Sequence, residues 1–515
     1  MHVRRENLKH ITCTRLEPFQ NTDAHVKKGL SKSRLIAWRQ CPKRLWLEVH
    51  MPNLREITPE AERRFQVGHQ VGAIARDLEE NGLLIGFEDN LTAALAATQE
   101  ALVHHPGQPL FEPAFQHDGL LVRLDLLLPR GRAWDIVEVK SSASVKDYHQ
   151  ADATVQTWVA DRAGIDVEEV CIGHIDSSFV YPGGGDYRGL IAKTPVTDVV
   201  DALFDEVPHW VAGARDTLAG SMPSVSIGAH CTEPFECPFR SFCEPDPLEY
   251  PVDLLPDRAG KKLARELAAD GYADLREAPP DRMTTPLLER VHRVTLTGKP
   301  ELDRAAAEII NTLPWPRYYL DFETMGWTVP VWAGTRPFQA LPFQWSCHVE
   351  TREGEVFHRE FLDTTGEPPM RAFAEDLIET LGNEGPILVY SAYEKRILNE
   401  LSAAYPDLAP ALQAVVARLV DLQPITKQHY YHPAMKGSWS IKAVLPTVAP
   451  DLDYASLKEV RDGTAAQAAY AEMIDPATTP TRREQLEHAL REYCKLDTLA
   501  MVRLAQFLGS AKDAR

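Results

Sequence analysis

A chain of 515 residues is too long for a single hydrophobic core, and its length suggests about three units. Its 44% hydrophobic and 25% charged content is ordinary for a globular protein, and no run reaches the ~18 uncharged apolar residues of a membrane span. A net charge of -19 excludes a protein that coats nucleic acid through bulk positive potential, but acidic groups that hold cations add to such a charge.

The opening stretch MHVRRENLKHITCTRL is basic and lacks an apolar h-region, so no signal peptide is read there. That implies the reducing cytoplasm, where the eight cysteines serve as free thiols or metal ligands rather than disulfides. VKKGLSKSRLIAWRQCPKRLW follows and carries Cys41; it is a solvated basic helix or one wall of a phosphate-binding groove. LLVRLDLLLP and AWDIVEVKS then read as strands, short and rich in Leu, Val and Ile, with Pro-Arg-Gly-Arg between them. Alternation along a strand puts Glu138 and Lys140 on one face and Val137 and Val139 on the other, while Asp125 shares a face with Arg123. Charge on a buried strand is costly unless a partner or metal matches it. Asp125 and Glu138 converging on Mg²⁺ or Mn²⁺, with Lys140 beside them, form a site for in-line attack on a phosphodiester. The alternative is chance spacing on half-exposed strands. Gln156 and Trp158 lie in the following helix, DATVQTWVA.

Cys231, Cys237 and Cys243 stand at two equal intervals in HCTEPFECPFRSFC, too close together for ordinary core packing. With Cys41 they offer four thiolates, which suit a [4Fe–4S] cluster; zinc without the usual CxxC pairs, or unliganded thiols, are the alternatives. Cys13, Cys171, Cys347 and Cys494 are scattered and read as buried thiols. The proline-rich CEPDPLEYPVDLLPD closes a first domain of residues 1–248. Residues 249–313 read as a helical linker, either a plain spacer or a helix–hairpin–helix-like unit whose turn amides reach phosphate.

A third domain covers residues 314–515. RYYLDFETMGW is a strand whose Asp321 and Glu323 face one side while Leu320 and Phe322 face the core. ILVYSAYEKRIL is strand then helix with Glu394 at the turn, and Asp421 in RLVDLQPI reads as a turn or cap acid. LREYCKLDTLAMVRLAQFL is a helix that puts Tyr493 and Asp497 on one face. No Walker-type GxxxxGK[ST] supplies an ATP motor.

The early cysteine, the Asp125/Glu138/Lys140 core and the late cysteine triplet resemble the RecB-like PD-(D/E)xK iron–sulfur nucleases of the CRISPR-adaptation and AddAB type. The resemblance covers the first half of the chain. It implies a restriction-endonuclease-like fold stapled by a structural cluster on Cys41, Cys231, Cys237 and Cys243. It also implies Asp125 and Glu138 as metal ligands, Lys140 as catalytic lysine, and Gln156 as part of the Q-containing motif. The family's early metal-binding histidine is replaced by Gly72, with His69 nearby, and Ala160 stands where a tyrosine follows the glutamine. The last third resembles the DEDD exonucleases, RNase H-like three-layer α/β/α domains, and an uncharacterised domain often found behind RecB-like nucleases. That implies Asp321, Glu323 and Asp497 as metal ligands and Tyr493 as the group that orients water; Glu394 replaces the usual aspartate. The expected function is metal-dependent cleavage of nucleic acid, DNA before RNA, trimming 3′ to 5′ in the C-terminal part, with a separate helicase as partner. The competing expectations are a degenerate nucleic-acid-binding scaffold and a zinc-stabilised regulator.

Overall fold

The computed structural model describes residues 30–86, 90–244, 246 and 248–511, so Cys13 lies outside the described residues. The protein is a mixed α/β protein whose described residues form two compact units, one within residues 1–246 with 327–338 and the other within residues 247–326 with 339–515. Among the described residues no helix is long and apolar enough to cross a membrane.

The first unit opens with β1 (Leu30–Ser31), α1 (Lys32–Gln40), α2 (Pro42–His50) and α3 (Pro59–Asp77). β2 (Leu83–Leu84), α4 (Leu91–His104), β3 (Leu110–Phe111), β4 (Ala114–His117) and β5 (Leu120–Arg123) follow. The chain continues through β6 (Leu126–Arg130), β7 (Ala133–Lys140), α5 (Asp147–Arg162), β8 (Val167–Ile175) and β9 (Ile191–Pro195). It ends in α6 (Thr197–Phe204), α7 (Val207–Ala219) and the short α8 (Arg240–Cys243). Six strands form a mixed sheet in the order β2-β3-β6-β7-β8-β9, and three form a second, β1-β5-β4.

Sequence pattern explains how β7 sits. Ile136 joins the core that α5 covers with Val155 and Val159, while Val137 turns to the opposite face with Leu126 and Cys171. Glu138 and Lys140 therefore look toward α5. β7 and β8 are parallel, and α5 is the crossover between them. LLVRLDLLLP, in contrast, is two strands in different sheets. Asp125 occupies the break: its carbonyl accepts from Glu112 N–H at 3.0 Å, and Leu124 N–H donates to Pro113 O at 3.0 Å. The apolar run hides this break because Leu124 stays buried across it. Ser31 starts α1 by accepting from Arg34 N–H, and Pro42 opens α2, so Cys41 falls in extended backbone between two helices.

The second unit starts with α9 (Asp257–Ala269), α10 (Pro286–Thr297), β10 (Glu301–Leu302) and α11 (Ala305–Thr312). β11 (Arg317–Met325), β12 (Leu341–Glu350), β13 (Val356–Leu362), α12 (Met370–Leu381) and β14 (Ile387–Val389) come next. Then follow α13 (Tyr393–Ala404), α14 (Ala409–Val416), β15 (Leu419–Asp421), α15 (Leu422–His429) and β16 (Tyr430–Tyr431). α16 (Ile441–Val448), α17 (Gly463–Ile474) and the 30-residue α18 (Pro480–Gly509) complete it. The main sheet is mixed, in the order β13-β12-β11-β14-β15. Tyr319 packs with Leu263, Val291, Ile310 and Leu504 on one face, and Leu320 and Phe322 pack with Phe373, Ile397 and Leu412 on the other. Helices thus cover both faces. Residues 249–313 supply part of that covering, because α9, α10 and α11 have apolar faces that need a partner.

Candidate functional site

In the second unit β11 and α18 bring three carboxylates together. Asp321 and Glu323 alternate with Leu320 and Phe322, so both share the face of Tyr319, against which α18 packs. Asp497 lies on α18, one turn after Tyr493. One oxygen each of Asp321, Glu323 and Asp497 lies within 4.8 Å of the others, and among the described residues this is the one such group of His, Cys, Asp or Glu. Crowding shows in their acidity. Burial, then the Asp497 charge, pushes Glu323 up to about 8. Burial raises Asp497 to about 6 against the Tyr454 hydrogen bond and the Lys442 charge. Burial followed by Asp497 holds Asp321 well above the usual carboxylate range.

Side chains from other segments close the site. Tyr454 O–H donates to Asp497 Oδ1, and Lys442 Nζ donates to Tyr493 Oη at 3.1 Å and to Arg461 O at 3.0 Å. The Cys494 thiol contacts Asp321 Oδ2 at 3.7 Å, so this buried cysteine belongs to the site's wall. Glu394 is buried at the start of α13 and is pushed to about 7, first by burial, but it stands outside the three-carboxylate group. Asp421 caps α15 by accepting from Gln423 N–H at 2.9 Å.

The first unit places a second charged cluster where β7 faces α5. Glu138 Oε1 accepts from Lys140 Nζ at 2.7 Å and Lys32 Nζ at 2.9 Å, and its Oε2 accepts from Gln156 Nε2 at 2.6 Å. Both lysines also reach Asp152 Oδ2, Lys140 at 2.5 Å and Lys32 at 3.3 Å. Asp152 and Gln156 are four apart on α5, hence on one face. Asp125 Oδ2 accepts from Val139 N–H at 2.7 Å, beside Glu138. Burial, then the Glu138 charge, pushes Asp125 up to about 7. Burial also works against Glu138, but Lys140 and Lys32 outweigh it and hold that carboxyl well below the usual range. Among the described residues Gln156 Oε1 is buried without a hydrogen-bond partner, an unused oxygen acceptor inside the cluster. His69 is exposed on α3.

Cys41, Cys231, Cys237 and Cys243 line one small cavity, partly open to solvent, with Lys43, Arg44, His230 and Arg240 around it. Cys237 N–H donates to Cys231 O at 2.8 Å, and Gln40 Nε2 ties α1 to His230 O at 2.8 Å and Phe235 O at 2.6 Å. Burial raises the Cys237 thiol, with Cys41 and Cys243 adding to it. No three of the four sulfurs lie within 4.8 Å of one another. A tetrahedral ion at ~2.3 Å from each sulfur brings all of them to about 3.8 Å. The set is therefore spread wider than one zinc requires.

Every candidate residue named from the sequence falls at one of these three places except His69; Glu394 lies outside the group of three, but its charge raises both Asp321 and Glu323. Lys32, Asp152, Lys442 and Tyr454 were not singled out as site residues. Lys32 lies in the basic N-terminal segment that suggested a groove wall; nothing in the local pattern marks the other three.

No curated protein matches the chain. Residues 318–440, which include Asp321, Glu323 and Glu394, match the family described as Domain of unknown function (DUF2779).

Proposed function

We propose that the protein is a metal-dependent nuclease with two centres, acting on DNA before RNA. The observation that carries this reading is the meeting of Asp321, Glu323 and Asp497 within 4.8 Å, beside Tyr493. Carboxylate oxygens are ligands for hard cations such as Mg²⁺ or Mn²⁺. A bound divalent cation would offset phosphate charge and lower the pKa of water. Tyr493, held by Lys442, orients the attacking water in the manner of a DEDD-type exonuclease in an RNase H-like domain. Asp497 is kept in place by Tyr454.

The first unit is the RecB-like, restriction-endonuclease-like nuclease centre in this reading. Asp125 and Glu138 would hold the cation, Lys140 meets the attacked phosphate or its water, and Gln156 fixes Glu138. The unused Gln156 Oε1 fits a donor such as cation-bound water. The four cysteines would hold a [4Fe–4S] cluster as a structural clasp. The shared cavity of the four cysteines and the basic side chains around it support an anionic cluster there. Glu394 in place of the usual aspartate favours a second reading for the C-terminal centre alone, in which it binds nucleic acid without cutting.

The test is cleavage of end-labelled single- and double-stranded DNA and RNA in Mg²⁺ and Mn²⁺. Lys140→Ala is expected to remove one set of products and Asp321→Asn the other. Binding without cleavage in every metal would establish the scaffold instead.

A further inference from the structure

The residues that surround Glu138 include two that the nuclease reading does not use, Lys32 and Asp152. Lys32 is the first residue of α1, and its position is set by the fold rather than by local sequence. β1 pairs in parallel with β5, Leu30 opposite Leu120, and β5 leads directly to Asp125. Ser31 then caps α1, and the chain turns so that Lys32 Nζ reaches Glu138 Oε1 at 2.9 Å, the oxygen that Lys140 contacts at 2.7 Å. The two lysine side chains are almost equally exposed. The Lys32 side chain is 20% exposed and that of Lys140 21%, above a Glu138 side chain that is 3% exposed.

Charge explains why one lysine is not enough. Asp125, Glu138 and Asp152 supply three carboxylates, and Lys32 and Lys140 two ammonium groups, leaving one net negative charge when all are ionised. A divalent cation turns that to one positive charge, and a phosphodiester brings it to zero. Without Lys32 the loaded site would be neutral before substrate arrives and would repel the second negative charge that develops at a phosphate under attack. An ammonium shared between two carboxylates is also oriented, and Asp152 performs that for both lysines at once.

We propose that Lys32 is a second catalytic lysine that contacts the phosphate of the nucleic-acid strand, and that Asp152 is the positioning residue that aims Lys32 and Lys140. This rests on the nuclease reading of the first unit and adds to it a substrate contact from a distant segment.

The experiment uses the full chain carrying Asp321→Asn, so that the C-terminal centre is silent. Binding of a fluorescein-labelled single-stranded oligodeoxynucleotide is measured by anisotropy in Ca²⁺ across a salt series, and cleavage of the same strand in Mn²⁺. Lys32→Met is expected to lower cleavage roughly 10- to 100-fold and to flatten the plot of log affinity against log salt by about 0.7, the loss of one phosphate contact on a single strand. Lys32→Arg is expected to restore the slope. Asp152→Asn is expected to lower cleavage with the slope unchanged. A Lys32→Met protein that melts at lower temperature but keeps the salt slope overturns the proposal and leaves a structural ion pair. Unchanged slope and cleavage together also overturn it. Failure of the nuclease reading looks different: the Asp321→Asn protein and its Lys140→Ala derivative would both be unable to cut, while the salt slope would still report Lys32. Absence of oligonucleotide binding by the unsubstituted protein overturns both.

Discussion

Replacing Glu323 by glutamine distinguishes a cation site from an ordinary buried polar patch. Its carboxyl lies at about 8, raised first by burial and then by Asp497, against an ordinary value near 4.5. In the unfolded chain at pH 7 it is ionised, so folding must protonate it or accept its charge beside the other two acids. The gap between the two pKa values makes this unfavourable by about 3 kcal/mol at pH 7. Coulomb repulsion gives a similar size: two carboxylates 4.8 Å apart repel by about 3 kcal/mol at an effective dielectric of about 20. A folded-state pKa raised above the unfolded one favours the folded protein at low pH, and that advantage is lost as pH rises from about 4.5 to about 8. Metal-free wild type therefore loses stability across that range, and glutamine, with the same shape, does not share the loss at this position. Because the remaining acids redistribute their protons, about 1–3 kcal/mol is the expected gain, or roughly 2–10 °C in melting temperature in EDTA at pH 7.5. Manganese should reverse the order. Wild type gains about 2.7 kcal/mol at a hundredfold excess over Kd, and the variant gains far less. A Glu323→Gln protein that melts below wild type in EDTA, or that gains as much from Mn²⁺, would refute the reasoning.

The other centres yield equally direct outcomes. Cys237→Ala, purified anaerobically, should lose iron and visible absorbance; a stoichiometric zinc content in wild type would contradict the cluster. Glu394→Gln should lower C-terminal cleavage by less than about 10-fold, whereas Asp321→Asn should lower it by more than about 100-fold, since only the latter belongs to the close triad. Equal losses would mean that Glu394 moves into the site with substrate.

Local periodicity made much of both centres legible. The two-residue alternation of LDFET and IVEVK assigns faces to Asp321, Glu323, Glu138 and Lys140, and the four-residue spacing of Tyr493 and Asp497 assigns a helix face. What stayed hidden depends on partners far along the chain. Lys32 meets Glu138 across 106 positions, and Lys442 meets Tyr493 across 51. The break at Asp125 was equally invisible, because Pro113, Glu112 and Val139 hold it by hydrogen bonds while the apolar run through Leu124 continues. Asp152 reads locally as one more acid on a helix, and only the approach of α1 and β7 makes it the acceptor for two lysines. The spacing of the cysteines announced a shared site, yet their common cavity depends on α1 and α2 bringing Cys41 to the late triplet.

The most direct test of the two-centre account is the Lys140→Ala/Asp321→Asn double variant set beside wild type, with labelled single-stranded DNA and Mn²⁺. Wild type should shorten the strand, and the double variant should bind it with no product at any time. Cutting by the double variant at the wild-type rate, or none by wild type, would contradict the account.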